Sequence, residues 1–272
     1  MLKLMYITND PAVAEIAQSC GVDRIFVDLE TVGKELRQGG MNTVQSRHSV
    51  ADVAVIRRVL TKSELLVRVN PIYPGSKDEI DAVIATGADI LMLPYFKTVA
   101  EVSDFLRFVG GRAKTMLLFE TPESVACIDE ILSLRGIDEC FVGLNDLHLG
   151  YGMRFMFQLL ADGTVDALCE KFRAVGKPYG FGGIARVGTG TLPAQRIIGD
   201  HVRLGSSAVI LSRSFCNTAQ ISDLQEIRAI FETEVPKVRA AEAEFAAATL
   251  EEMMHNHRAV QAAVQTIVEN LT

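Results

Sequence analysis

The chain has 272 residues, 49% of them hydrophobic and 22% charged, with a formal net charge of −7. This is the composition of an ordinary folded protein with room for a large core, not of a disordered one. No stretch clusters the lysines and arginines that phosphate neutralisation needs, which argues against nucleic-acid binding, and no apolar run reaches the length that spans a bilayer.

In chain order, short runs rich in Val, Ile, Leu, Phe and Met predict strands at 3–8, 24–28, 64–69, 89–93, 115–119, 139–143, 178–182 and 207–211. Most are apolar throughout instead of alternating, as expected of parallel strands covered on both faces. Helix signals separate them. Asp10 as N-cap, Pro11 in the first turn and Gly21 as terminator frame one helix, and Thr121 and Pro122 open another. Strands alternating with helices over about 210 residues predict a (β/α)8 TIM barrel, with a doubly wound open sheet as the competitor. The competitor is weakened because no G-x-G-x-x-G follows the first strand.

The interval after the second strand is too long for a simple crossover, and its first half, with Gly39 and Gly40, predicts an extended loop over the barrel mouth. The expected division is a catalytic barrel over 1–215 and a helical extension over 216–272. In that extension Leu250, Met253, His257, Val260, Val264, Ile267 and Leu271 form a seam that packs on the barrel or on a neighbouring subunit. His257 reads as a hydrogen-bonded packing residue. Cys20, Cys127, Cys140, Cys169 and Cys216 are scattered without a C-x-x-C pair, the usage of reduced thiols. With no signal-peptide pattern, the expected location is the cytoplasm.

Two acids stand where buried strands stop. Glu120 ends the apolar run "LLFE", and Asp146 follows the run "CFVGLND". On a barrel they project from the C-terminal rim of adjacent strands, where a hard divalent ion would offset their repulsion. Helix capping or surface ion pairing would explain them equally well from spacing alone. Arg68, late in the third strand among apolar residues, offers a planar fork to a substrate carboxylate, and Asp28 and Glu30 lie at the end of the second strand. A buried structural ion-pair network is the alternative for this group.

Taken together, "VDLE", "VRVNP", "GADILMLPYFKTVAEV", "LLFETPESV" and "FVGLNDLHLGYG" resemble the HpcH/HpaI aldolase and citrate lyase beta-subunit family of the phosphoenolpyruvate/pyruvate barrel superfamily, over residues 20–215. The resemblance implies that Glu120 and Asp146 bind Mg2+ or Mn2+. It also implies that Arg68 holds the substrate carboxylate or enolate oxygen, with Glu30 a second acid near the metal's waters. The implied activity is metal-dependent carbon–carbon lyase chemistry of aldolase type on pyruvate or a related 2-oxo acid, with an aldehyde or acyl co-substrate, in a homo-oligomer. A citrate-lyase-like CoA-thioester lyase and a catalytically inactive scaffold are the alternatives.

Pyruvate-aldolase members typically carry a histidine directly after the acid matched by Glu30; Thr31 stands here, and Tyr95 replaces a lysine typical of the citrate-lyase branch. His48, on the long second loop, could reach the mouth and titrates in a useful range, although an exposed loop or helix-cap role is the simpler reading. Further on, "YGFGGIARVGTGTLPA" offers Gly183 and Arg186 to an anionic substrate group, or else forms a flexible turn. His148 reads as a packing or capping residue, and Arg213 as a rim cation or a salt-bridge partner of the terminal helices.

Overall fold

The computed structural model describes residues 1–32 and 48–271. The loop expected over the barrel mouth lies largely outside the described residues. Eight parallel strands pair in sequence order, β1 (Lys3–Ile7), β2 (Arg24–Asp28), β3 (Glu64–Arg68), β4 (Ile90–Leu93), β5 (Lys114–Phe119), β6 (Glu139–Val142), β7 (Tyr179–Ile184) and β8 (Ala208–Leu211). The sheet closes where β1 pairs with β8, so the open-sheet alternative is excluded. This is a (β/α)8 barrel.

The helix signals act as their chemistry requires. Asp10 accepts hydrogen bonds from the backbone N–H groups of Ala12 and Val13 (2.8 and 3.2 Å), and Pro11 begins helix α1 (Pro11–Ser19). Thr121 accepts from Ser124 N–H (3.0 Å) while Pro122 starts the next short helix.

Side chains alternate across a strand, and here the alternation sorts two cores. Outward-facing residues such as Leu65, Val67, Leu91 and Leu117 join the helices in one large cluster. Met5, Phe26, Leu66, Ile90, Met92, Met116, Leu118 and Phe141 fill the barrel interior. The strands are apolar on both faces because both faces are covered.

Extending the inward parity downward from Phe26, Leu66 and Phe141 reaches Arg24, Glu64 and Glu139. Arg24 is fully buried. It donates from both terminal nitrogens to the Glu139 carboxylate (2.7 and 2.6 Å) and from Nε to Glu64 (2.9 Å), while Lys114 donates to Glu64 (2.7 Å). Burial alone would raise the Glu64 pKa; the hydrogen bonds from Lys114 and Arg24 outweigh it and hold the carboxyl at about 2. Extending the same parity upward reaches Asp28, Arg68 and Glu120, so one register delivers polar groups to both ends.

The C-terminal segment forms two helices, Leu224–Ala246 and Leu250–Asn270. The second packs on the helix Ala194–Leu204, burying Asn256, His257, Val260 and Val264, while Leu250 and Leu271 at the ends of the predicted seam are exposed. His257 shares a hydrogen bond through Nδ1 with the buried Asp200 (3.0 Å), the packing role expected of it. Among the described residues no helix is long and apolar enough to cross a membrane.

Removing the floor's central cation strands two carboxylates, one of them buried. Arg24→Met should therefore cost about 3–5 kcal/mol of stability, read as a lower urea midpoint. Glu64→Gln should flatten the loss of stability that the wild type suffers as pH falls from about 4.5 to about 2, because a depressed carboxylate stabilises only while ionised.

Candidate active site

Parallel pairing sets Asp28 directly beside Arg68 on the neighbouring strand. Arg68 donates from Nε and Nη2 to the two oxygens of Asp28 (2.9 and 2.8 Å), and Nη2 also lies 3.3 Å from Glu30 Oε2. Asp28 and Glu30 are only 2% and 3% exposed. Burial works against the guanidinium charge, but the fields of Asp28 and Glu30 outweigh it and raise its pKa. The buried ion network foreseen as an alternative for Arg68 is thus present. Two nitrogens of the fork offered to a substrate carboxylate are engaged by Asp28. Asp28, expected to meet substrate, holds Arg68 through both its oxygens.

Glu120 lies one residue past β5 and is 3% exposed. Its Oε1 accepts the backbone N–H of Tyr95 (2.9 Å), and its Oε2 lies over Gly143, where a Cβ would come within 2.7 Å of it. Glycine is required there because any side chain would displace the carboxylate. Asp146 follows in the first turn of the short helix Leu144–Gly150, whose N-cap is Gly143; the capping role considered for Asp146 therefore does not apply. Both acids line one pocket of about 200 Å3 with Tyr95, Thr121, Pro122, Leu149 and Gly150.

Burial, then Asp146, then Glu30 push the Glu120 pKa well above the carboxylate range; Arg68 and the Tyr95 N–H pull against them without prevailing. Such a donor set gathers negative charge. Among the described residues no group of three or more His, Cys, Asp and Glu could cage an ion. Two carboxylates with the remaining positions left to water and substrate oxygens nevertheless match the usual needs of Mg2+.

His48 Nδ1 accepts the backbone N–H of Asp28 (3.0 Å), which assigns the ring proton to Nε2 and places the imidazole at the upper end of β2. Gly183 belongs to β7 rather than to a loop, paired with Ile210 beyond a register shift. Arg186 donates from Nε to the Phe215 carbonyl (2.7 Å), tying the loops after β7 and β8 together. No described contact brings Gly183 or Arg186 to the carboxylate group. His148 is buried with Nδ1 against the Leu144 carbonyl (3.1 Å), as expected of a packing residue, and Arg213 is exposed.

Two contributors went unassigned in the sequence. Asn70 Oδ1 accepts from the N–H groups of Thr31 and Val32 (2.8 and 2.9 Å), while its own N–H and Nδ2 donate to Glu79 (3.1 and 2.9 Å). It fixes the chain leaving Glu30. A short amide side chain before a proline, at the end of a strand, was the available signal. Tyr95 orients Glu120 through its backbone, which no side-chain pattern announces.

The family profile described as HpcH/HpaI aldolase/citrate lyase matches residues 3–155, more than half of the chain and the part that carries Asp28, Glu30, Arg68, Glu120 and Asp146. The chain belongs to this family. As a member of the HpcH/HpaI family it is an aldolase/lyase by descent. Over 190 residues it is 22% identical to a hydroxypyruvate/pyruvate aldolase of Roseovarius nubinhibens, covering 63% of this chain and 73% of that protein. A protein of the same description from Rhizorhabdus wittichii is 39% identical over 92 residues, 31% of this chain and 37% of the relative. The crystal structure of an HpcH/HpaI aldolase/citrate lyase family protein from Burkholderia cenocepacia superposes with a TM-score of 0.64 at 16% identity, over 84% of this chain and 94% of the other. At that identity the likeness is one of fold.

An acid whose pKa is raised by folding costs stability once pH climbs through that raised value. Glu120→Gln keeps the acceptor for Tyr95 N–H and removes the charge. It should raise the melting temperature of cation-free protein at pH 7.5 by a few degrees, about what 1 kcal/mol gives in a chain of this size.

Proposed function

We propose that the chain is a divalent-cation-dependent aldolase that makes or breaks a carbon–carbon bond at the methyl carbon of pyruvate or a close 2-oxo acid. The observation that carries this reading is the pocket where Glu120 and Asp146 meet, electrostatically coupled to Arg68 and Glu30. The pyruvate-acting description of two relatives supports the substrate class. Glu120 and Asp146 would hold Mg2+ or Mn2+, which when bound supplies Lewis-acid polarisation of the oxo acid.

The chain's own groups divide the remaining work. Arg68, oriented by two hydrogen bonds to Asp28, stabilises negative charge as the enolate develops. In condensation a methyl proton leaves, the enolate carbon bonds to the carbonyl carbon of the co-substrate, and the new alkoxide takes up a proton. Cleavage reverses the sequence. We assign this proton traffic to Glu30, as the buried acceptor beside Arg68, and to His48, whose Nε2–H is a donor. With Nδ1 engaged by Asp28 N–H, His48 is arranged to give a proton first. On this reading the imidazole absent at Thr31 is supplied from position 48.

The test needs no co-substrate. Pyruvate incubated with the protein in deuterated buffer should lose its methyl proton signal in the presence of Mg2+ or Mn2+, stop on chelation, and be slowed at least 100-fold by Arg68→Met. Absence of exchange under all metal conditions would reject the aldolase reading.

A further inference from the structure

Tyr95 has φ of +48°, and every other positive φ among the described residues belongs to a glycine. Holding a bulky residue in the left-handed region costs about 1–2 kcal/mol, a cost glycine avoids. The N–H that Tyr95 gives Glu120 does not explain the choice, since glycine would give the same N–H without strain. What glycine lacks is the ring.

That residue lines the pocket shared by Glu120 and Asp146, whose apolar side is completed by Pro122 and Leu149. The wall at Gly150 is already tight, for a Cβ there would lie 2.6 Å from Pro122 Cδ. The Tyr95 ring is braced: Lys97 Nζ stands 5.5 Å from its centroid and is itself paired with Glu123 at 3.0 Å. At about 30 Å3 of liquid volume per water, the pocket of about 200 Å3 holds the equivalent of about seven waters, so a ring at its wall takes a large share of the space left beside pyruvate.

We propose that Tyr95 determines specificity: its ring, fixed by a strained backbone, walls the pocket so that only short, unbranched aldehydes reach the enolate carbon. This rests on the aldolase reading. The strain is retained because one residue supplies both the N–H that orients Glu120 and the wall that limits the co-substrate.

The experiment compares wild type, Tyr95→Gly and Tyr95→Phe. For each, kcat/KM is measured with pyruvate and either a two-carbon hydroxyaldehyde or a branched four-carbon aldehyde, and pyruvate methyl exchange is followed in parallel. The ratio of branched to two-carbon kcat/KM should rise at least tenfold in Tyr95→Gly, within the range a pocket gains per excluded methylene, and stay within twofold of wild type in Tyr95→Phe. Thermal melts should show Tyr95→Gly no less stable. A ratio unmoved in Tyr95→Gly while exchange persists would overturn the inference and leave the aldolase reading standing. Loss of exchange in Tyr95→Gly would place the residue in the pyruvate half of the reaction, also overturning it. Wild type that fails to exchange overturns the aldolase reading and this inference together.

Discussion

Crowded negative charge, held out of water at one end of a closed barrel, is the constraint on which the rest of the site depends. Asp28, Glu30 and Glu120 act on Arg68, Asp146 acts on Glu120, and the consequence is visible in Glu120, whose pKa is raised well above the carboxylate range. The opposite end of the same strands carries the same kind of groups with the opposite balance. There Lys3, Arg24 and Lys114 meet Glu64 and Glu139, and the charges are satisfied by one another. One alternation of side chains thus builds a paired ionic floor and, at the mouth, a cluster of carboxylates around Arg68. A barrel stabilised at one end can tolerate an expensive arrangement at the other, the division of labour familiar in this fold.

Geometry at the mouth is held by residues that carry no charge into it. Asn70 staples the end of β2 to the end of β3 and is itself anchored on Glu79, so Glu30 and Arg68 leave their strands in a fixed relation. Gly143 makes room for the Glu120 carboxylate, and the Tyr95 backbone turns toward it. Each of these fixes one angle or removes one obstruction. Their sum is pre-organisation: groups aimed before substrate arrives need not reorganise as charge develops.

Most of the fold was legible in the sequence because a buried parallel strand leaves a strong local mark. The run "RIFVD" is apolar on both sides of the chain and was placed to the residue, and the helix beginning at Pro11 announced itself through Asp10. Glu120 and Asp146 stood out in the sequence as acids at or just after such runs, although spacing alone left capping and surface ion pairing open; the pocket they share comes from the fold. Partnerships were harder to read. Arg68 was visible as a costly cation, but its engagement by Asp28 depends on the β2–β3 register, which lines up positions 28 and 68 and is written in neither strand alone. Arg186 was offered as an anion ligand by composition; that its Nε reaches a carbonyl of the loop after β8 depends on the barrel and not on the local sequence. The left-handed turn at Tyr95 leaves no trace in residue type, since the residue itself is a poor choice for that conformation.

The central claim is that the carboxylates of Glu120 and Asp146 act as one site for one divalent ion. The most direct measurement is the binding of Mn2+ to the purified chain, followed by the loss of the free-ion electron paramagnetic resonance signal. The account predicts one ion per chain in the wild type, and affinity weakened at least 10-fold by Asp146→Asn without change in the fold. Equal affinity in wild type and Asp146→Asn, or no ion bound by either, would contradict it.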